Sequence, residues 1–550
     1  MGNKKKKTND ILKQGLILAA ASILVRMVGL LYRIPLGNQL GEEGNGIYSI
    51  AYKVYSIALI ISSYGLPLAV SKMVAEKSVK REYRYAHRIF INALIFAVVI
   101  GGIVGGIVYL GADFFATALG SANASMPLRV LAPTIFFVAV LGVFRGFFQG
   151  QNTMIPTAVS QIVEQIMNAV VSIAAAYSFM EMHKTADNVA AYGATGSTWG
   201  TFFGAVSALV FMIGVYFLNR PIIKKRVKND VNPIESNKVI YQTLFMTVVP
   251  VILSQTVYQL SGVIELSLFG NVMKNVLSEE IREGLIGVYS GQYTLLINVP
   301  LGVATAMGTS MIPSITASVT NNDMNEVREK VRSVIKFNML IAFPSAVGLA
   351  VLGGPINKML FYRLADYQDV AKNLMLYGSV ALVFFALSTV SSGVLQSISK
   401  MRLPVIHSGI SLGIYVVIVY LLLKFTNLSI YALMIGNIVF PMIVSILNWR
   451  AVGKYIEYKQ EVKTTFLLPA LSSLIMGVVC IGGYQGSYLL LKGVCGARLG
   501  NAISTLIAVC IAVFVYFVAL LLLKTVDEVE LKAMPMGRKL YVLGHKLHLI

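Results

Sequence analysis

Four basic side chains stand where a hydrocarbon environment makes them costly. Arg26 and Arg33 share one long apolar run, Lys53 comes early in the next, and Arg145 lies near the end of the fourth. A centred Arg or Lys is unfavourable by roughly 2.5–3.5 kcal/mol on insertion scales, and such groups usually face a cavity or pathway. Two helical turns separate Arg26 from Arg33, so on a helix they share a face about 10 Å apart along the axis. Guanidinium groups pair bidentately with phosphate oxygens, so this cationic wall suits an anionic substrate. The well-embedded acids are Glu164 and Glu265, candidates for binding a coupling cation or proton. Each residue also has a plainer role open to it. Arg26 and Arg33 can be paired with Glu164 or Glu265 for packing alone, and Lys53 can snorkel to an interface. Arg145 can anchor a membrane edge, and Glu265 can be a buried hydrogen-bonded carboxyl.

The elements that position these groups are membrane helices. The chain has 550 residues, 56% hydrophobic and only 13% charged, about half the charged share of an ordinary soluble protein. Apolar runs long enough to cross roughly 30 Å of hydrocarbon recur almost from end to end. Fourteen spans are expected, near 11–35, 47–70, 88–112, 127–149, 155–180, 191–218, 239–270, 284–312, 334–353, 372–397, 403–424, 428–449, 464–490 and 499–523. They must be helices, because lipid satisfies no backbone polar group and the runs are too long and uniformly apolar for barrel strands. The fold class is therefore an all-α polytopic membrane protein, which excludes a soluble enzyme, a disordered chain and a disulfide scaffold. The first run has no cleavage site after it and reads as a retained helix.

The formal charge of +21 is read as cytoplasmic Lys/Arg bias rather than as a nucleic-acid surface. Lys and Arg crowd the N-terminal tail, 71–88, 219–238, 313–336, 449–463 and the C-terminal tail, all on one side of a fourteen-span chain. Both termini are expected in the cytoplasm of a bacterial-type cell, with the chain in its plasma membrane. The stretch 71–88 is expected to meet anionic headgroups.

An internal repeat divides the spans. Gly46-Ile47-Tyr48-Ser49 with Tyr52 reappears as Gly287-Val288-Tyr289-Ser290 with Tyr293. Leu66-Pro67 matches Ile312-Pro313, and Gly146-x-x-Gln149 with Pro156 matches Gly393-x-x-Gln396 with Pro404. The order and near-constant offset predict two parallel-related six-helix lobes, 1–218 and 239–449, joined by a cytoplasmic linker at 219–238. Two further spans and a tail occupy 450–550. In transporters with such repeats the substrate site lies between the halves. The segment Gly101-Gly102-Ile103-Val104-Gly105-Gly106 predicts close helix packing and no substrate role.

Other chemistries lack their motifs. None of the Lys-Ser/Thr pairs has a Gly before the Lys, so there is no P-loop. The histidines His87, His183, His407, His545 and His548 have no metal-ligand spacing, and three late cysteines make no disulfide framework. No cofactor, metal or nucleic-acid partner is expected.

With its span plan, Arg26-Met-Val-Gly29 followed by Arg33, and the paired Gly-x-x-Gln…Pro elements, the chain resembles the MOP exporter superfamily. Within it the resemblance is to the polysaccharide-biosynthesis branch that includes SpoVB, YtgP and the MurJ lipid II flippases. That resemblance implies a MATE/MurJ-like transporter, not an enzyme. It would flip an undecaprenyl-diphosphate-linked saccharide, lipid II foremost, by alternating access, with a monovalent cation or proton gradient as a possible drive. It implies substrate-binding roles for Arg26 and Arg33, with Lys53 and Arg145 as further cations and Glu265 or Glu164 as coupling sites. The chain departs from the flippase pattern in three places. Tyr32 stands where a second arginine aligns, the sequence near Leu59 is apolar, and the stretch before Pro300 has no arginine. The alternatives are a cation-coupled MATE-type multidrug exporter or a flippase for a capsule or spore-envelope glycan.

Overall fold

The computed structural model describes residues 2–232, 236–364 and 366–526. The side chains of 2–20, 22, 23, 26, 250, 251, 253–255, 257, 258, 306–311 and 313 are not among those described. Every regular element in these residues is helical. The protein is an all-α polytopic membrane protein.

In chain order the helices are α1 (Gly2–Leu59), α2 (Leu66–Val79), α3 (Tyr83–Leu110), α4 (Ala112–Ala118), α5 (Ser125–Gly150), α6 (Ile155–Met182), α7 (Val189–Lys228) and α8 (Asn237–Val272). They continue as α9 (Glu279–Val288), α10 (Leu295–Thr320), α11 (Met324–Leu360), α12 (Gln368–Gly378), α13 (Ala381–Ser397), α14 (Arg402–Phe425), α15 (Ile430–Ile456) and α16 (Leu468–Leu522). Among the described residues nine helices are long and apolar enough to cross a membrane, or ten if α12 and α13, bent by 48°, form one span.

Two of these helices are hairpins, each turned by a glycine. α1 breaks at Gly41 (φ 76°, ψ 177°) and α16 at Gly496 (φ 77°, ψ 166°), a backbone region that side-chain-bearing residues rarely enter. A break frees carbonyls at the end of the preceding helix, and these need donors. At Gly41 the Asn45 amide supplies them, donating to the Gly37 and Gly41 carbonyls at 2.9 and 2.6 Å. At Gly496 the two arms are tied by the Tyr484 hydroxyl donating to Asn501 at 2.7 Å, and Asn501 donates in turn to the Pro355 carbonyl at 3.1 Å.

The chain forms two compact units, Met1–Gly287 and Val288–Ile550. The division falls beyond the 219–238 segment because α8 packs on α1, α2 and α3.

In the first unit, Phe90 stands at the centre of an aromatic cluster, 4.4 Å from Phe147 and 5.2 Å from Phe144 and Tyr216 between ring centroids. Small residues bring backbones together around it. Gly142, Gly146 and Gly150 line one face of α5, where a methyl group on each would press on Pro67, Val70, Ser71 or Val74. Likewise Gly101 faces Phe136 and Ala139, and Gly105 faces the Ala132 carbonyl, while Gly102 and Gly106 face open space. The repeat motifs meet each other: Gly146 packs on Pro67 in the first unit, and Gly393 packs on Ile312 in the second.

Candidate functional site

The break at Gly41 folds the second arm of α1 back alongside the first. That brings Tyr48 and Tyr52, one turn apart on the second arm, to Arg33 on the first. The Arg33 guanidinium sits 5.7 Å from the Tyr52 ring centroid, among Tyr32, Tyr48 and Tyr52. Tyr52 stacks on Tyr48 at 5.5 Å and meets Tyr55 at 5.4 Å. A guanidinium over a tyrosine face gains roughly 0.5–2 kcal/mol, and Tyr32 also hydrogen-bonds the Arg33 side chain.

The polar contacts continue onto α5 and α6. Arg145 Nη2 lies 2.7 Å from Glu164 Oε2, and its Nε donates to the Ser160 hydroxyl at 2.9 Å. Glu164 is in turn close enough to Tyr52 and Tyr55 to act on them electrostatically. The structure thus joins three of the six candidates, Arg33, Glu164 and Arg145, through the tyrosines. It also shows Arg145 and Glu164 to be each other's counterion. Among the described residues Glu164 is paired with Arg145 rather than with Arg33, and Ser160, one turn before Glu164 on α6, holds the Arg145 Nε.

Lys53 points elsewhere. Its Nζ lies against Gly262 on α8, where a methyl group would displace it. Glu265, buried at 8% exposure, follows Gly262 by about one turn and so lies on the same face of α8. The side chain of Arg26 lies outside the described residues. Among the described residues no group of three or more His, Cys, Asp or Glu side chains is arranged to hold a metal.

Two features of this wall carry a sequence signal of their own. Tyr48, Tyr52 and Tyr55 fall at one-turn spacing, and Tyr48 and Tyr52 also belong to the repeat. Ser160, Gln161, Glu164, Gln165 and Asn168 form a polar stripe along one face of α6 inside an apolar span. The Gln165 amide also lies close to Gly29 on α1.

The chain belongs to the family described as polysaccharide biosynthesis protein, whose model matches residues 11–319. A second model, MatE, matches 288–421. The chain is 26% identical to the lipid II flippase MurJ of Bacillus subtilis strain 168 over 86% of its own length and 88% of that protein's. It is 22% identical to stage V sporulation protein B of the same organism, over 96% and 99% of the two chains. In fold it is similar to a solved structure of lipid II flippase MurJ in an inward closed conformation. That match has a TM-score of 0.65 and 14% identity, covering 92% of this chain and 99% of the other. The relatives whose names state a function are flippases and transporters rather than enzymes.

Proposed function

We propose that this protein flips an undecaprenyl-diphosphate-linked saccharide, lipid II foremost, from the inner to the outer leaflet by alternating access. The observation that carries the reading is Arg33 held on the Tyr52 ring beside the polar face of α6, a cation kept by an aromatic wall rather than by a carboxylate. A diphosphate meets such a group without first displacing an acid. Arg26, two turns along the same arm, is the second cation in this reading, and Lys53, turned to Gly262 on α8, is a separate third. Arg145 is assigned the lesser part of holding Glu164 and the α5–α6 packing. Glu265, beside the Lys53 contact on α8, is the residue proposed to bind a coupling cation. Both termini are cytoplasmic, and the basic segment 219–238 links the two lobes on that side.

The test is lipid II translocation by the purified protein in liposomes, read by a probe confined to the outer leaflet. Arg33→Ala and Arg26→Ala are expected to slow translocation by tenfold or more with the protein still monodisperse. Wild-type rates in both variants remove the site assignment. The MatE match over 288–421 favours a second reading, a cation-coupled drug exporter. Drug efflux that collapses in Glu265→Gln, with no lipid II translocation, supports that reading instead.

A further inference from the structure

The repeat-related glycines Gly46 and Gly287 meet face to face. A methyl group on Gly46 would overlap the Glu283 carbonyl, and one on Gly287 would overlap the Glu42 carbonyl. The contact is reciprocal, each glycine receiving the carbonyl of the residue one turn before the other. The backbones of α1 and α9 therefore touch here, inside the first unit. Small residues are what allow such an approach.

This crossing carries five carboxyl groups: Glu42 and Glu43 from α1, and Glu279, Glu280 and Glu283 from α9. Glu283, which precedes the span expected at 284–312, is fully buried at 0% exposure. It accepts hydrogen bonds from the Ser121 hydroxyl and, at 3.2 and 3.3 Å, from the Asn123 amide. Glu279 accepts from the Ala122 amide N–H at 2.7 Å, so the short turn at 122–124 is tied to α9 through two acids. Neither Ser121 nor Asn123 titrates, and the charges that bear on Glu283 are the acids Glu279 and Glu43.

Basic groups are turned away. The buried Arg282 gives its Nη1 to the Gly270 carbonyl at 2.6 Å. Lys274 is exposed on the turn after α8, and Arg129 is paired with Asp113. Among the described residues no ion pair involves Glu43, Glu279, Glu280 or Glu283. Burial, with the neighbouring acids adding to it, pushes the Glu283 carboxyl up to about 7. Burial and Glu280 likewise raise Glu43.

We infer that the α1–α9 crossing is a proton-operated latch: Glu283 bearing a proton holds it shut, and loss of that proton lets it open. The inference deepens the transport reading by naming the proton as the species that controls one conformational step, and its consequence for transport rests on that reading. Linkage gives the sign. A closed crossing that holds the proton up to about pH 7 and an open one that releases it in the ordinary carboxylate range are separated by up to about tenfold in population per pH unit. Opening is favoured as pH rises through that window and levels off above it.

Spin labels at Thr185→Cys and Val276→Cys, both exposed positions, report the crossing in full-length protein in nanodiscs once Cys480, Cys495 and Cys510 are replaced. Pulsed electron resonance between pH 5 and 8 is expected to show a longer-distance population growing with pH. Glu283→Gln, which keeps an acceptor for Asn123 and carries no charge, should hold the short distance throughout. Ser121→Ala should move the midpoint. A distance independent of pH in the parent protein, or a pH response that survives Glu283→Gln, overturns the latch. A normal pH response in a protein that moves no lipid II leaves the latch standing and refutes lipid II as the substrate.

Discussion

Arg33 and Arg145 begin as equivalent intramembrane arginines and end in different chemistry. Arg33 rests on an aromatic ring, whereas Arg145 has a carboxylate at 2.7 Å. Lysine in place of Arg33 keeps the charge and loses the planar N–H fork that matches a diphosphate. Arg33→Lys is therefore expected to weaken lipid II binding several-fold, while Arg145→Lys barely changes it. Binding measured in nanodiscs separates the two. Removing either member of the Arg145–Glu164 pair strands the other in a half-buried position, at a cost of about 1–3 kcal/mol. Arg145→Gln with Glu164→Gln should recover most of that loss, because neither charge is then left alone. Thermal unfolding of the two single variants and the double variant measures the coupling, and a translocation rate close to the parent's in the double variant assigns the pair to structure. If the double variant is stable but inactive, Arg145 belongs to the substrate site.

At the scale of the element, the glycines sort by what each faces. Gly105 abuts the Ala132 carbonyl, and Gly106, its neighbour in sequence, faces open space. Gly105→Ala should lower the melting temperature by several degrees and Gly106→Ala should leave it unchanged or raise it, since glycine costs a helix roughly 0.5–1 kcal/mol relative to alanine. Differential scanning fluorimetry in one detergent checks both, and equal shifts contradict the packing. The α1 hairpin makes a separate prediction. Gly41 has nothing within 4 Å but lies at φ 76°, so alanine there meets no neighbour and still pays about 1–2 kcal/mol of backbone strain. The repeat marks Gly46, Gly146, Gly287 and Gly393 all lie at close helix contacts. At Gly46, Gly146 and Gly287 the neighbour is another segment's backbone, whereas Gly393 faces only the Ile312 side chain, which can give way.

At the scale of the molecule, basic residues set the expectation for orientation. A reporter fused after residue 228 should be cytoplasmic, and one inserted near residue 185 should face outward. Cysteine labelling of intact cells at those positions tests the same statement with less perturbation. A cytoplasmic residue 185 inverts the assignment, and with it the side on which Glu283 meets its proton. The membrane class was readable along the chain, and the spans and the duplication are expectations of the same kind. They depend on runs of apolar residues and on local spacing, and those survive in one dimension.

What the sequence determined alone was the list of costly groups and the helices that carry them. Hydrophobic length dictates a span whatever its neighbours are, and a charge inside a span is costly wherever it points. The partners were a different matter. That Arg145 would take Glu164, that Arg33 would rest on Tyr52, and that Lys53 would reach Gly262 were decided by which helix faces meet. The same holds for Glu283, which in the sequence is one acid among several ahead of a span. It becomes a buried carboxyl only because Gly46 and Gly287 let two backbones touch and a turn from another part of the chain closes over it. Burial and partnership depend on contacts between distant residues, and no local pattern specifies them.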